Sequence, residues 1–339
     1  AVQKRMVALD RYRGAVRFMA YAFVVIGLVL LFAGSEALLR AGIGLSRAVG
    51  LPPTIVGLFI VSAAASAPEF FVAVQAMVRH APEMAVASVV GSNIVNLLLI
   101  LGLGALFTPL PSPPKNVFRD GLAMVLASAA LVFAAWDGSL SHMEGFTLLA
   151  GFAIYVAVCV VMDWRKSAQD SAARAQCRAP QSFGMSVFLL GAGLVALYFG
   201  GRCLIDGALV VAQQEHLSST MVALILVALA TAVPEFVFML SMSARGWSDV
   251  TLGYLLSSSL FNILGVLGFA AVMYTPGIPV TANPDLFVMF GVSVILMPLM
   301  ISSWRLSRFN GALLLLGYVA YAGFLAWRLG YLPIAGLHG

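Results

Sequence analysis

Apolar residues do not alternate along this chain with polar ones. They persist in long runs at 18–39, 51–78, 84–107, 118–136, 144–163, 184–200 (extending to 212), 217–244, 250–273, 285–303 and 311–329. A helix needs about 20 such residues to cross the hydrocarbon core of a bilayer. The pattern therefore predicts an all-α integral membrane protein with ten transmembrane spans. The one sizeable polar interruption, Asp163 to Phe183, carries Arg165, Lys166, Arg174 and Arg178 and divides the spans into five and five. A stretch of that length is a linker rather than a soluble catalytic domain. The first span is too long for a signal-peptide core and no small-residue cleavage site is evident, so no cleavable leader is expected.

The halves repeat each other. Ser66-Ala67-Pro68-Glu69-Phe70 is answered by Ala232-Val233-Pro234-Glu235-Phe236, an offset of 235 − 69 = 166. The same offset pairs Arg79 with Arg245, Ser92 with Ser258, Asn96 with Asn262, Leu101 with Leu267 and Gly102 with Gly268. Backward, it pairs Glu36 with Arg202 and Arg40 with Asp206, charge-swapped forms of one i, i+4 pair that reads as structural. The expected organisation is a five-helix repeat at 18–163 with its motif at 62–102, a basic linker at 164–183, and a second repeat at 184–330 with its motif at 228–268. Five is odd, so the second copy enters the membrane from the opposite side. Inverted repeats of this kind are typical of secondary transporters.

Composition narrows the class. Hydrophobic types make up 61% of the 339 residues and charged types 10%, against about 25% charged in soluble domains. The formal charge of +5 comes from residues at the ends of apolar runs, where orientation in a bilayer is set, so nucleic-acid binding is not indicated. With the linker on the cytoplasmic side, most basic loops fall inside. Lys4, Arg5, Arg11, Arg13 and Arg17 then lie outside, against the rule. Trp136, Trp164, Trp247, Trp304 and Trp327 sit near span ends, as an interfacial belt would. Cys159, Cys177 and Cys203 form no CxxC pair, and the four histidines have no metal-ligand spacing and read as interfacial.

Most acids lie in loops or at span ends, but Glu69 and Glu235 fall mid-span in otherwise apolar spans 2 and 7. An acid there costs several kcal/mol unless it meets a cavity, a partner or an ion, so function is the default reading. Pro68 and Pro234 precede these acids and should break both helices, placing each Glu in a new first turn. Freed carbonyls beside a carboxylate are the oxygen donors a hard cation needs. Spans 3 and 8 add Gly91, Ser92, Asn93 and Asn96, and Ser257, Ser258, Ser259 and Asn262. Ser92/Asn96 and Ser258/Asn262 are i, i+4 pairs sharing a helix face. The serines read equally as helix-packing residues, and the two asparagines as site-lining.

These residues resemble the Ca²⁺/cation antiporter superfamily, which includes the sodium/calcium exchangers. Its α-repeats carry a G-T-S-x-P-E type motif and a G-S-N-x-x-N type motif. Here they read Ala64-Ala65-Ser66-Ala67-Pro68-Glu69 with Gly91-Ser92-Asn93-Ile94-Val95-Asn96, and Ala230-Thr231-Ala232-Val233-Pro234-Glu235 with Ser257-Ser258-Ser259-Leu260-Phe261-Asn262. The resemblance implies a Ca²⁺ site with Glu69 and Glu235 as carboxylate ligands and backbone carbonyls at Ala65 and Thr231. It further implies that Ser66, Thr231, Ser92, Ser258, Asn96 and Asn262 line flanking monovalent-ion sites. No resident cofactor is implied; Ca²⁺ is cargo and Na⁺ or H⁺ the counter-ion, across the lipid bilayer of a bacterial inner membrane, with no obligatory protein partner.

Two positions depart from the motif. Ala65 stands where the family has Thr, and Ala232 where it has Ser, removing two hydroxyls. With Asn96 and Asn262 at both mid-site positions and no Asp, only two acids balance the bound charge, which argues against a potassium-dependent type. The expected mechanism is alternating access, with spans 2, 3, 7 and 8 holding the site and spans 1 and 6 sliding. The alternatives are an antiporter for another cation using the same two acids, a transport-inactive structural or sensory relative, and a membrane enzyme using the glutamates as an acid/base pair. The last lacks a nucleophile, a metal cluster or a phosphate-binding loop.

Overall fold

A computed structural model of the chain describes residues 2–49, 62–163, 182–244, 248–274, 278–280 and 283–329. The start of span 2, nearly all of the linker, Cys177, Arg245, Trp247 and His338 lie outside the described residues. The helices are α1 (Val2–Val49), α2 (Ser62–Ala65), α3 (Ala67–Val78), α4 (Pro82–Phe107), α5 (Pro114–Asp137), α6 (His142–Asp163), α7 (Phe183–Gln214), α8 (219–231), α9 (Val233–Ala244), α10 (248–273), α11 (Asn283–Ile301) and α12 (Arg308–Arg328). Among the described residues nine helical stretches are long and apolar enough to cross a membrane, and Ala67–Val78 is a shorter apolar helix. The protein is an all-α, multi-pass membrane protein. Short strand pairs, Leu110–Pro111 with Arg305–Leu306 and Ser139–Leu140 with Ile278–Pro279, tie connections of opposite halves together.

Spans 2 and 7 are broken where proline predicts. Helix α2 ends at Ala65, Ser66 bends, and α3 starts with Pro68 in its first turn; α8 ends at Thr231, Ala232 turns, and α9 begins at Val233. Proline has no N–H to give the carbonyl four residues back, which for Pro68 is that of Ala64. Ser35 Oγ of α1 donates to that carbonyl at 2.7 Å. Apolar pattern did not announce a second irregularity. Wide π-helical turns occupy Val95–Ile100 in α4, Ala223–Val227 in α8 and Phe261–Leu267 in α10.

The inversion is visible in helix contacts. A Cβ built on Gly27 of α1 would lie 2.9 Å from the Gly200 carbonyl of α7, and one on Gly34 would lie 2.9 Å from that of Gly193. Seven residues forward on α1 thus correspond to seven backward on α7, so these helices are antiparallel. They are also equivalents, since 27 + 166 = 193 and 34 + 166 = 200. Equivalent helices running antiparallel are inverted copies. The same logic relates Gly102 of α4 against Gly311 of α12 to Gly268 of α10 against Gly145 of α6. Lipid gives helices no hydrophobic reason to associate, so such close backbone approach supplies the packing instead.

Two acids at span starts, Asp120 and Asp285, are fully buried rather than exposed to solvent. Arg119 grips Asp120 through two bonds of 2.7 and 2.9 Å, and Tyr155 donates to it at 3.0 Å. Asp285 accepts from Arg328 at 2.8 Å and Tyr321 at 3.0 Å. Tyr155 and Tyr321 are 166 apart. Each carboxylate thereby has a cation and a phenol, the condition under which burial is tolerable. The Glu36–Arg40 pair forms at 2.7 Å, whereas Asp206 is held less closely by Arg202, at 3.7 Å, than by Arg79 of α3, at 2.6 Å.

Gly27→Leu and Gly193→Leu should each lower the unfolding midpoint of detergent-solubilised protein, at a cost of about 1–3 kcal/mol or more from overpacking. Gly191→Leu, where an added Cβ meets nothing within 4 Å, should leave the midpoint unchanged.

Candidate functional site

The breaks in spans 2 and 7 bring two helix starts into the protein's interior. Glu69 lies in the first turn of α3 and Glu235 in the first turn of α9, where partial positive charge from unpaired N–H groups favours a carboxylate. Both are sealed from solvent, Glu69 at 1% exposure and Glu235 at 0%. The two carboxylates lie within electrostatic range of each other, with Thr231 beside Glu69. Hydrogen bonding along the chain resumes with Phe70 N–H to Ser66 O at 3.2 Å and Phe236 N–H to Ala232 O at 3.0 Å. The carbonyls of Ala65 and Thr231, last in α2 and α8, fall in the gap between successive ladders.

Among the described residues, the side-chain hydrogen bonds around the acids come from neutral hydroxyl groups. Ser66 Oγ lies 2.7 Å from Ser258 Oγ, and Ser258 donates to Glu235 Oε1 at 3.2 Å. A serine has one proton, so Ser66 is the donor to Ser258. Ser92 Oγ lies 2.9 Å from Thr231 Oγ1. The break of span 2 thus binds α10, and that of span 7 binds α4, so each half closes on the other.

This arrangement shows what Ala65 and Ala232 do. By the 166-residue offset, Ser66–Ser258 corresponds to Ala232–Ser92, and Thr231–Ser92 to Ala65–Ser258. Each break has kept one hydroxyl, the first at its second position and the second at its first. Each facing serine therefore still has one partner.

Asn93, which sequence reasoning placed near the site without a role, sits at the symmetry axis. Its amide donates to the carbonyl of its own equivalent, Ser259, at 3.3 Å, and its Oδ1 accepts from Asn262 Nδ2 at 3.3 Å. Contact between equivalent positions occurs only on the axis. Asn96 and Asn262 both lie in π-helical turns, a local feature that frequently marks functional sites.

The decisive feature is unsatisfied oxygen. Both oxygens of Glu69, Oε2 of Glu235, Oδ1 of Asn96 and of Asn262 and the Ser259 hydroxyl are buried with no hydrogen-bond partner. Buried polar groups are otherwise almost always paired, so orphan acceptors on these residues need an explanation such as an ion. Among the described residues no group of three or more His, Cys, Asp or Glu occurs. A cation held here would draw on two carboxylates and otherwise on hydroxyl, amide and carbonyl oxygen, the donor set of a hard ion.

Comparison with known proteins agrees with the internal duplication. The family described as sodium/calcium exchanger protein matches twice, at residues 19–161 and 185–327, both ends shifted by 166 (185 − 19 and 327 − 161). The chain belongs to that family. It is similar to "Inner membrane protein YrbG" of Escherichia coli, 32% identical over 320 residues that cover 91% of this chain and 97% of the relative. It is similar to "Putative antiporter CaxA" of Alkalimonas amylolytica, 29% identical over 313 residues, covering 89% and 97%. A solved structure of the sodium-calcium exchanger NCX_Mj, soaked with Na⁺ and Sr²⁺, superposes with a TM-score of 0.63 at 25% identity, covering 91% of this chain and 99% of that one.

Ser66→Ala, Ser258→Ala and the double variant should show a coupling on the order of 0.6 kcal/mol in thermal unfolding, the usual size for hydroxyl pairs between membrane helices. Additive effects would mean that the serine pair does not join the halves.

Proposed function

We propose that the protein is a secondary antiporter that exchanges Ca²⁺ for Na⁺ or H⁺ by alternating access. One observation carries this reading: Glu69 and Glu235 come together from inverted repeats, sealed from water, with three of their four oxygens unpaired. Glu69, Glu235 and the carbonyls of Ala65 and Thr231 are the Ca²⁺ ligands in this reading. Ser66, Ser92, Ser258, Asn96, Asn262 and the Thr231 hydroxyl line the flanks where a monovalent ion rests. The family and the antiporter named among the relatives support it. A relative named as an inner membrane protein supports a bacterial inner membrane as the location.

Coupling follows from charge. Two bare carboxylates in a dry site are too costly to carry across the membrane, because each loses its hydration and repels the other. A Ca²⁺ balances both at once. Two Na⁺ or two H⁺ balance them equally, so at least two monovalent charges move against each Ca²⁺. A carrier loaded with neither stays where it is, and that immobility turns two binding equilibria into obligatory exchange. Helices α1 and α7, packed on each other through glycines, form the unit that slides past the site to expose one face or the other.

In proteoliposomes, Glu69→Gln and Glu235→Gln should each reduce Ca²⁺ flux by about 100-fold or more, since a buried cation loses half its compensating charge, a loss of about 3 kcal/mol or more. The unfolding midpoint without divalent ions should hold or rise, because repulsion between the acids is removed. Comparing Ca²⁺ flux under an imposed Na⁺ gradient with flux under an imposed pH gradient identifies the counter-ion. Flux under neither gradient would overturn the exchange reading.

A further inference from the structure

One buried oxygen beside the site has no counterpart in the other half. Tyr254 of α10 is 6% exposed, and its hydroxyl is buried without a hydrogen-bond partner. It lies within electrostatic range of both Glu235 and Glu69. Two elements fix its position. Tyr254 is one turn before Ser258, the residue that donates to Glu235, so ring and serine share a helix face. Its ring packs at a tilt against Phe238 of α9, centroids 4.1 Å apart, and Phe238 is one turn beyond Glu235. The phenol is thus held on the side of the acids facing the α9–α10 connection. The equivalent of Tyr254 is Ser88, since 254 − 166 = 88, and the equivalent of Phe238 is Val72. Ser88 is turned away from this task, because its hydroxyl donates to the carbonyl of Ala85 on its own helix at 3.0 Å.

A buried phenol with nothing to bond is a net cost unless something occupies the space in front of it. Glu235 Oε2 and the Glu69 oxygens are equally unpaired. The tyrosine hydroxyl bonds none of them, so buried oxygens within electrostatic range of one another are all left without a hydrogen-bond partner.

We propose that the Tyr254 hydroxyl is a further cation-facing oxygen of the site, a one-sided subsite next to Glu235 in which a bound hard cation meets a phenol on the α9–α10 side and no equivalent group on the other. The proposal rests on the exchange reading above and deepens it. The phenol supplies a neutral oxygen lone pair, while its proton remains available to a carboxylate oxygen. It makes good one of the hydroxyls absent at Ala65 and Ala232, from a different helix.

The test is Tyr254→Phe in the full-length protein, which keeps the ring packed against Phe238 and removes one oxygen. Calcium chloride titrations by calorimetry in detergent should show binding weakened about tenfold or more, as expected for losing a polar contact to a charge. In proteoliposomes the KM for Ca²⁺ should rise with kcat unchanged, the signature of lost uniform binding. Ser88→Ala should bind as the wild type does. Thermal unfolding without divalent ions verifies that Tyr254→Phe is folded, so that the binding readout decides between a ligand and a merely structural role. An orphan hydroxyl with no ion to serve predicts that Tyr254→Phe is stabilised and binds Ca²⁺ normally, a result that overturns the proposal. If wild type and Tyr254→Phe bind Ca²⁺ alike while Glu235→Gln does not, the subsite fails and the exchange reading stands. If the wild type binds no Ca²⁺, both fail together.

Discussion

Two carboxylates are buried within electrostatic range of each other inside a protein that spans a membrane, and the surrounding structure is arranged around that fact. Elsewhere in the interior, acids are neutralised on the spot. Asp120 has Arg119 and Tyr155, and Asp285 has Arg328 and Tyr321. For Glu69 and Glu235 the protein provides helix starts and a single serine bond, with no cation among the described partners. Helix dipoles are worth at most a kcal/mol or two, far less than the loss of hydration by an ionised group. On the proposed reading the charge of this site is supplied from outside, by the ion the protein moves.

Inverted duplication puts the acids at one depth. Each broken span carries its Glu at the start of its second half, and because equivalent helices run antiparallel, those starts approach the same level from opposite faces. The serine bonds then run between halves: Ser66 of the first to Ser258 of the second, and Thr231 of the second to Ser92 of the first. Neither repeat completes a site alone. The π-helical turns at Val95–Ile100 and Phe261–Leu267 interrupt the α-helical ladder of α4 and α10 where Asn96 and Asn262 sit.

Much of this was legible in the order of residues. The 166-residue offset, the mid-span acids and the prolines before them define the broken helices and the pair at the centre, because each rests on a local rule of chain geometry or hydration. What lies across the axis was not legible. A contact such as Ser66 with Ser258, or Asn93 with Ser259, pairs positions on helices whose adjacency depends on how the halves interlock, which the offset alone does not reveal. Asp120 and Asp285 begin apolar runs, a position that by itself does not reveal that they are buried. Tyr155 and Tyr321, themselves 166 apart, were the signal that could have marked them as buried pairs. Tyr254 escaped for a related reason: it breaks the repeat, and comparison of the halves rewards positions that match.

Departures from the repeat carry their own physical consequence. A perfectly duplicated carrier would present identical energetics to both faces of the membrane. Here Arg79 of α3 pairs with Asp206 of α7 at 2.6 Å, half-buried on both sides. The corresponding positions, Arg245 and Arg40, are both basic residues, which cannot pair with each other as an ion pair, and Arg40 pairs within its own helix with Glu36 at 2.7 Å. An ion pair at such exposure contributes about 0–1 kcal/mol. That is enough to shift a two-state population by up to about fivefold, so movement of α7 past α3 has a preferred end. Symmetry supplies the two states, and unmatched residues such as these bias the balance between them in the loaded carrier.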